Sequence, residues 1–282
     1  MKKITKFWLI VATLFIFLGS ILFTVAMSIN NWNFSNLGTV EYETNSYTFN
    51  EDFENIEINT ITTEIIFKTS NTNETKVECL EMAKLKNSVS INNNTLSINH
   101  EDLRNQFDFI GINTKTPSIT IYLPSNKTYS LELDNTTGNI KLDDNLLFSS
   151  INIESTTGNV YIKNISCDSL NIYSTTGDVS INSITCKDLT LNGSSSDINI
   201  NNTILNGKLN INITTGDVEL KSFDAREIHI KSTTGDIEAA LLSEKEFIVK
   251  TATGDIEIPR TNSGGICEIA TTTGDIEIYI KK

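Results

Sequence analysis

A phrase of the form Thr-Thr-Gly-Asp-Ile recurs along this chain at an almost constant interval, and that period limits the fold more than any other feature. Its glycine falls at Gly138, Gly158, Gly177, Gly216, Gly235, Gly254 and Gly274, with Ser196 in the fourth place, at spacings of 20, 19, 19, 20, 19, 19 and 20 residues. Self-similarity at such a period marks a stacked repeat architecture. Aligned on the glycine, position −7 is Leu131, Ile151, Leu170, Leu189, Leu209, Ile228, Phe247 and Cys267. Position −5 runs from Leu133 to Ile269, position +2 from Ile140 to Ile276 and position +4 from Leu142 to Ile278, apolar in all eight units. On both sides of the glycine these residues alternate with outward ones, which is the period of a strand. One unit cannot bury its own apolar face, so adjacent units must stack in register around a continuous aliphatic core. The chain therefore reads as all-β, a parallel β-solenoid of 19–20 residues per rung, right-handed by the usual crossover rule.

Inward positions are odd before the glycine and even after it, and that change of parity is what a corner produces. Glycine accepts the torsions of a tight bend, and the Asn or Asp beside it bonds its own backbone as an Asx-turn. In this reading Thr137, Thr157, Thr176, Ser195, Thr215, Thr234, Thr253 and Thr273 point inward at the corner. Only the Thr one place earlier then faces out, a single column and so not the two-column array of an ice-binding face. The last rung ends at Tyr279 to Lys282, where the two lysines discourage edge pairing. The cysteines fall into the same columns. Cys267 belongs to an apolar column, and Cys167 and Cys186 share theirs with Leu147, Leu205 and Ala225, so all three read as buried. Adjacent rungs bring the Cα atoms of Cys167 and Cys186 within disulfide reach, but in-register parallel side chains are poorly oriented for a bond. Cys79 has no evident partner, and the absence of a C-x-x-C pattern argues against zinc.

The amino terminus differs in kind. Residues 1–6 form a basic tail, and 7–27 are uncharged and apolar for 21 residues, enough to span a bilayer as a helix. The stretch exceeds the usual apolar region of a cleaved signal peptide, and Val25-Ala26-Met27-Ser28 is a poor cleavage site. Lys2, Lys3 and Lys6 precede it, so the positive-inside rule puts the tail in the cytosol and the rest outside the cell membrane. Residues 28–45 read as a juxtamembrane linker, 46–130 as irregular rungs and an amino-terminal cap, and 131–282 as the regular solenoid. Within 101–117, strand alternation lapses, with Phe107, Phe109 and Ile110 as exposed candidates for a partner-binding loop.

Charge narrows the function. With 35 acidic against 22 basic residues the net charge is −13, which disfavours nucleic acid as a partner. In the last units Asp217, Asp236, Asp255 and Asp275 at +1 share an outward face with Glu219, Glu238, Glu257 and Glu277 at +3. Neighbouring rungs sit about 4.8 Å apart, so this acidic grid is the candidate site for calcium, the one candidate cofactor, which takes carboxylate oxygens in flexible geometry; solvated carboxylates screened by salt are the plain reading. An enzyme is not expected. The two histidines, His100 and His229, are phased to no nucleophile, and hydrolytic carboxylate pairs need unlike environments, whereas these repeat alike.

The Ile121 to Pro124 segment, followed by tandem Leu-x-Ile-x-Ser-Thr-Thr-Gly-Asp-Ile-x-Ile units after an amino-terminal apolar span, resembles the bacterial "putative adhesin" family of unknown function, the Toastrack-like β-repeat proteins. The resemblance covers about residues 45–282. It implies a membrane-anchored, extracytoplasmic β-solenoid, with some members linked to envelope-stress systems, and no established catalytic residues to carry over. The expectation is a non-enzymatic scaffold or recognition module at the cell envelope, partnered by the membrane and by envelope proteins or surface ligands; an adhesin or cation-binding protein using the acidic face is the alternative.

Overall fold

The computed structural model describes residues 3–33, 40–103, 115–261 and 263–281. The chain divides into two compact units, Met1–Tyr42 with Arg104–Thr116, and Glu43–Leu103 with Pro117–Lys282. The first holds helix α1, Lys3–Ile29, of which Ile4–Ile29 is long and apolar enough to cross a membrane. Three of its hydroxyls are satisfied within the helix: Thr13 Oγ1 donates to the Leu9 carbonyl at 2.8 Å, Ser20 Oγ to Ile16 at 2.9 Å and Thr24 Oγ1 to Ser20 at 2.8 Å. That arrangement suits a medium with no water to bond them. Phe107, Phe109 and Ile110 lie outside the described residues.

The second unit is the solenoid. Its first strands are β1 (Tyr42–Phe49), β2 (Asn55–Thr62), β3 (Glu64–Ser70), β4 (Thr75–Met82), β5 (Leu85–Asn92), β6 (Thr95–Asp102) and β7 (Ser118–Pro124). The repeats then supply β8 (Thr128–Thr137), β9 (Ile140–Leu142), β10 (Leu147–Thr157), β11 (Val160–Lys163), β12 (Ser166–Thr176), β13 (Val179–Asn182) and β14 (Thr185–Ser195). The carboxyl-terminal strands are β15 (Ile198–Thr215), β16 (Val218–Thr234), β17 (Ile237–Leu241), β18 (Lys245–Lys250), β19 (Ile256–Glu257), β20 (Gly265–Ala270) and β21 (Ile276–Ile280).

Through the middle, the columns stack as the period requires: Leu131, Ile151, Leu170 and Leu189 pair level to level, as do Ile140, Val160, Val179 and Ile198. These side chains are at most 1 % exposed, and burying each contributes about 1.5–3 kcal/mol relative to exposure. The core thus lies between two parallel walls that meet at the glycine corner. A second bend follows at +6, where Asp144, Asn164, Ser183, Asn202 and Ser222 take positive φ. In the Gly138 unit Asn145 is also at positive φ. That extra turn residue shifts the phase, so Phe148, not Leu147, pairs with Cys167. Leu147 is therefore outside the buried column assigned to it.

Stack order is not chain order at either end. Near the amino terminus β2 and β3 lie directly against β8 and β9, with Ile56 on Leu131, Ile58 on Leu133, Ile65 on Ile140 and Phe67 on Leu142. Thr63 occupies the glycine position, so Ile56 to Phe67 is a rung in phase with the repeat rather than an irregular one. The later strands β6 and β7 stack outside it, Leu96 on Ile56 and Ile121 on Phe67. Antiparallel β5 and β4 then close that end, and β1 adds to β4. At the carboxyl terminus β20 and β21 slot between β16/β17 and β18/β19: Cys267 pairs with both Ile228 and Phe247, and Ile276 with both Ile237 and Ile256. The outermost rung is therefore the Gly254 unit, not the one ending at Tyr279 to Lys282.

Candidate functional site

The corner is built differently from the sequence expectation. Thr137, Thr157, Thr176, Ser195, Thr215, Thr234, Thr253 and Thr273 are all exposed. The inward position is −3, where Asn135, Ser155, Ser174, Ser232 and Thr271 are buried. Parity holds through −3, and the bend turns the last two residues before the glycine outward. Two outward Thr columns therefore exist where one was expected. At −3 the side chains reach the bent backbone: Ser174 Oγ donates to the Gly177 carbonyl at 3.3 Å, Asn135 Nδ2 to Gly138 at 3.2 Å and Thr251 Oγ1 to Gly274 at 3.1 Å. Ser155 Oγ and Ser232 Oγ are buried with no partner among the described residues.

In the seven units whose corner is glycine, the residue is required for two reasons. Its φ lies between +129° and +144° in all seven glycine units, a region costly to side chains. A Cβ there would also overlap the corner carbonyl of the adjoining rung, for example that of Gly216 at Gly235. Ser196 escapes because the small residue has moved: Gly193 takes the −3 place, leaving room for Ser196 and for Ile213 Cγ2, which an added Cβ would approach to 3.2 Å.

The acidic column follows from the same stacking. Instead of an Asx-turn within its own rung, each side chain at +1 accepts the backbone N–H of the +1 residue next door. Asn139 Oδ1 accepts from Asn159 at 3.0 Å, Asn159 from Asp178 at 2.9 Å, and Asp178 from Asp197 at 3.4 Å. The ladder continues from Asp197 to Asp217 at 3.0 Å, then to Asp236, Asp275 and Asp255 at 2.8 Å each. The Asp275 step spans 39 residues of sequence, because the last repeat lies between its two predecessors.

The structure brings the whole predicted grid onto one face in the order Glu219, Glu238, Glu277, Glu257 beside Asp217, Asp236, Asp275, Asp255. The charges are partly answered locally. Lys221 pairs with Glu219 and is held above the ordinary lysine value chiefly by that hydrogen bond. The Tyr279 hydroxyl donates to Glu238 Oε1 at 3.3 Å. A shallow groove of about 360 Å³ runs past Asp197, Asn199, Asp217, Glu219, Asp236 and Glu238. Among the described residues no group of three or more His, Cys, Asp or Glu side chains is placed to hold a metal ion. His229, on the neighbouring wall, lies 3.4 Å from Glu268 and 3.8 Å from Glu227.

All four cysteines are free and buried. Burial pushes the Cys79 and Cys267 thiols up to about 12. Cys167 Sγ and Cys186 Sγ lie 2.9 Å apart, in contact despite their parallel register. The hydrogen bond between them raises the Cys167 thiol and lowers that of Cys186.

Fold and surface together define a β-solenoid whose repeat carries an Asx ladder along one outward face, preceded in sequence by an apolar helix of membrane-spanning length. The Toastrack DUF4097 family model matches residues 53–262 and 204–282, and the chain belongs to that family. No curated protein matches it. Among solved structures it is similar to a "putative adhesin" from Bacteroides fragilis NCTC 9343, at 21 % identity and TM-score 0.52 over 85 % of this chain and 97 % of that one. A "putative adhesin" from Parabacteroides merdae ATCC 43184 aligns at 15 % identity and TM-score 0.54, covering 84 % and 97 %. A "putative lipid binding protein" from Parabacteroides distasonis ATCC 8503 aligns at 14 % and 0.54, covering 87 % and 98 %. At such identities these likenesses establish the fold alone.

Proposed function

We propose that the protein is a non-enzymatic recognition module or scaffold, anchored in the cell membrane by α1 with its solenoid outside the cell. The observation that carries this reading is the acidic face, which repeats one outward side-chain pattern over successive rungs of a rigid stack. The apolar helix, with the hydroxyls of Thr13, Ser20 and Thr24 bonded internally, supports the anchor, and the lysines before it support the orientation. The neighbours named as adhesins or as a lipid-binding protein agree with a binding role. An accessory part in envelope-stress signalling rests on the family resemblance.

The adhesive or cation-binding alternative uses the same face and is favoured by the groove beside Asp217, Glu219, Asp236 and Glu238. The ladder dictates how to test it. Reversing the Asp residues removes acceptors that hold rungs together, so the informative variants are Glu238→Lys, Glu257→Lys and Glu277→Lys. Cells carrying the full chain should lose the solenoid to external protease, and cross-linking from intact membranes should capture a partner that the triple variant no longer captures. A solenoid protected in intact cells sinks the orientation. Capture unchanged by the triple variant removes the acidic face as the recognition surface.

A further inference from the structure

The two ends of the stack are finished unequally. Antiparallel β4 and β5 cover the amino-terminal rungs, whereas nothing among the described residues covers the Gly254 rung. Its inward residues Phe247, Val249 and Ile258 are only half-buried, and Ile256 is 44 % exposed, where their counterparts Ile228, Ile230, Ile237 and Ala239 are at most 2 % exposed. Among the described residues β18 pairs only with β20, so no strand pairs with its other edge.

The sequence of that edge is self-complementary. The Thr271 N–H donates to the Lys250 carbonyl at 3.0 Å, so Lys250, and by alternation Ile248 and Glu246, turn their backbone groups toward β20. Phe247 and Val249 therefore turn theirs to the open side. Thr261 Oγ1 closes the Lys245 carbonyl, which leaves Glu246 to Lys250 available. An antiparallel partner related by a two-fold axis through Ile248 places Phe247 opposite Val249, and these two residues exchange both N–H···O bonds on each side of the axis. The same register places Glu246 opposite Lys250 twice and Ile248, itself 43 % exposed, opposite its own copy. Centring on Phe247 instead sets Glu246 against Ile248 and Lys250 against Glu244, which precedes the strand and already accepts from Ser263 Oγ at 2.6 Å, and centring on Val249 sets Lys250 against Ile248; neither sets Glu246 against Lys250. Like charges directly across strands are unfavourable, and opposite ones favourable.

We propose that two copies of this chain associate end to end through antiparallel pairing of β18, in the register centred on Ile248, so that each copy caps the open core of the other. Two-fold pairing of one surface with itself is the commonest form of homo-oligomer, and it removes an edge that carries Phe-Ile-Val without a proline or a central charge.

The test is the molecular mass of the full chain in detergent, by sedimentation velocity. The wild type is expected to be a dimer at micromolar concentration, and Glu246→Lys and Lys250→Glu each to weaken association at least tenfold. Because the two variants carry opposite charges at the facing positions, their equimolar mixture is expected to recover the dimer. Both side chains point outward, so the melting temperature of each variant's monomer reports that the fold is intact. A wild type that stays monomeric, single variants that stay dimeric, or a mixture that stays monomeric each overturns the proposal; association through α1 alone gives the second result.

Discussion

At the scale of the residue, the aspartate after each glycine is a structural acceptor before it is a surface charge. Asn139 and Asn159 already serve in the same column, so the carbonyl oxygen is what the position needs. Asp236→Asn is expected to leave stability within about 0.5 kcal/mol of wild type, whereas Asp236→Ala, which orphans the Asp275 N–H, costs about 0.5–1.5 kcal/mol; denaturant titration distinguishes them. The inward −3 hydroxyls divide in the same way. Ser155 and Ser232 have no partner among the described residues, so Ser232→Ala is expected to be neutral or stabilising by up to about 1 kcal/mol, while Thr251→Ala, which removes the one hydroxyl donor shared by the Thr253 and Gly274 carbonyls, destabilises. The buried thiols give a pH dependence. Cys79 and Cys267 rise from an ordinary value of 9.0 to about 12, so the folded state holds protons that the unfolded chain releases. Their contribution to stability is complete below pH 9 and is lost as pH rises toward 12. The melting temperature should fall across that window, and less steeply in Cys79→Ala/Cys267→Ala.

At the scale of the element, the insertion of β20 and β21 between older rungs depends on a pair of glycines. A Cβ on Gly264 would overlap the Glu244 carbonyl of the outer rung, and one on Gly265 would overlap the Arg226 carbonyl of the inner rung. The rungs are further tied by Lys245, nearly buried, whose ammonium meets Asp224 at 2.5 Å and Ser243 at 2.7 Å. Gly265→Val should therefore release the last repeat. Hydrogen exchange is expected to accelerate in β18, β20 and β21 while β10, β12 and β14 keep their protection, because a solenoid's stability is a sum of local and nearest-neighbour contributions. Uniform loss of protection along the stack would show instead that the insertion holds the whole solenoid together.

At the scale of the whole molecule, the chain carries 35 acidic and 22 basic residues, with carboxylates aligned on neighbouring rungs. Repulsion among exposed charges is screened as ionic strength rises, so raising sodium chloride from about 20 mM to 500 mM should increase the melting temperature, and the Glu238→Lys/Glu257→Lys/Glu277→Lys variant should respond less.

The sequence by itself determined the unit, the register and the faces. Columns such as Leu131 to Cys267 alternate with period two and repeat at a fixed length, and burial of those faces requires the rungs to stack in register. The same reading reached the acidic face and the apolar helix, but not the rung at Ile56 to Phe67, although its Thr62-Thr63-Glu64-Ile65 carried the phrase without the glycine. It also turned the corner Thr inward, because parity alone does not reveal where a bend begins. What only the tertiary structure decided was the order of the stack. Every rung offers the same apolar columns to its neighbours, so Ile228 packs as well on Cys267 as on Phe247, and the pattern cannot rank them. The choice rests on contacts outside the repeat, on Gly264, Gly265 and Lys245, and on the hairpins that close the opposite end.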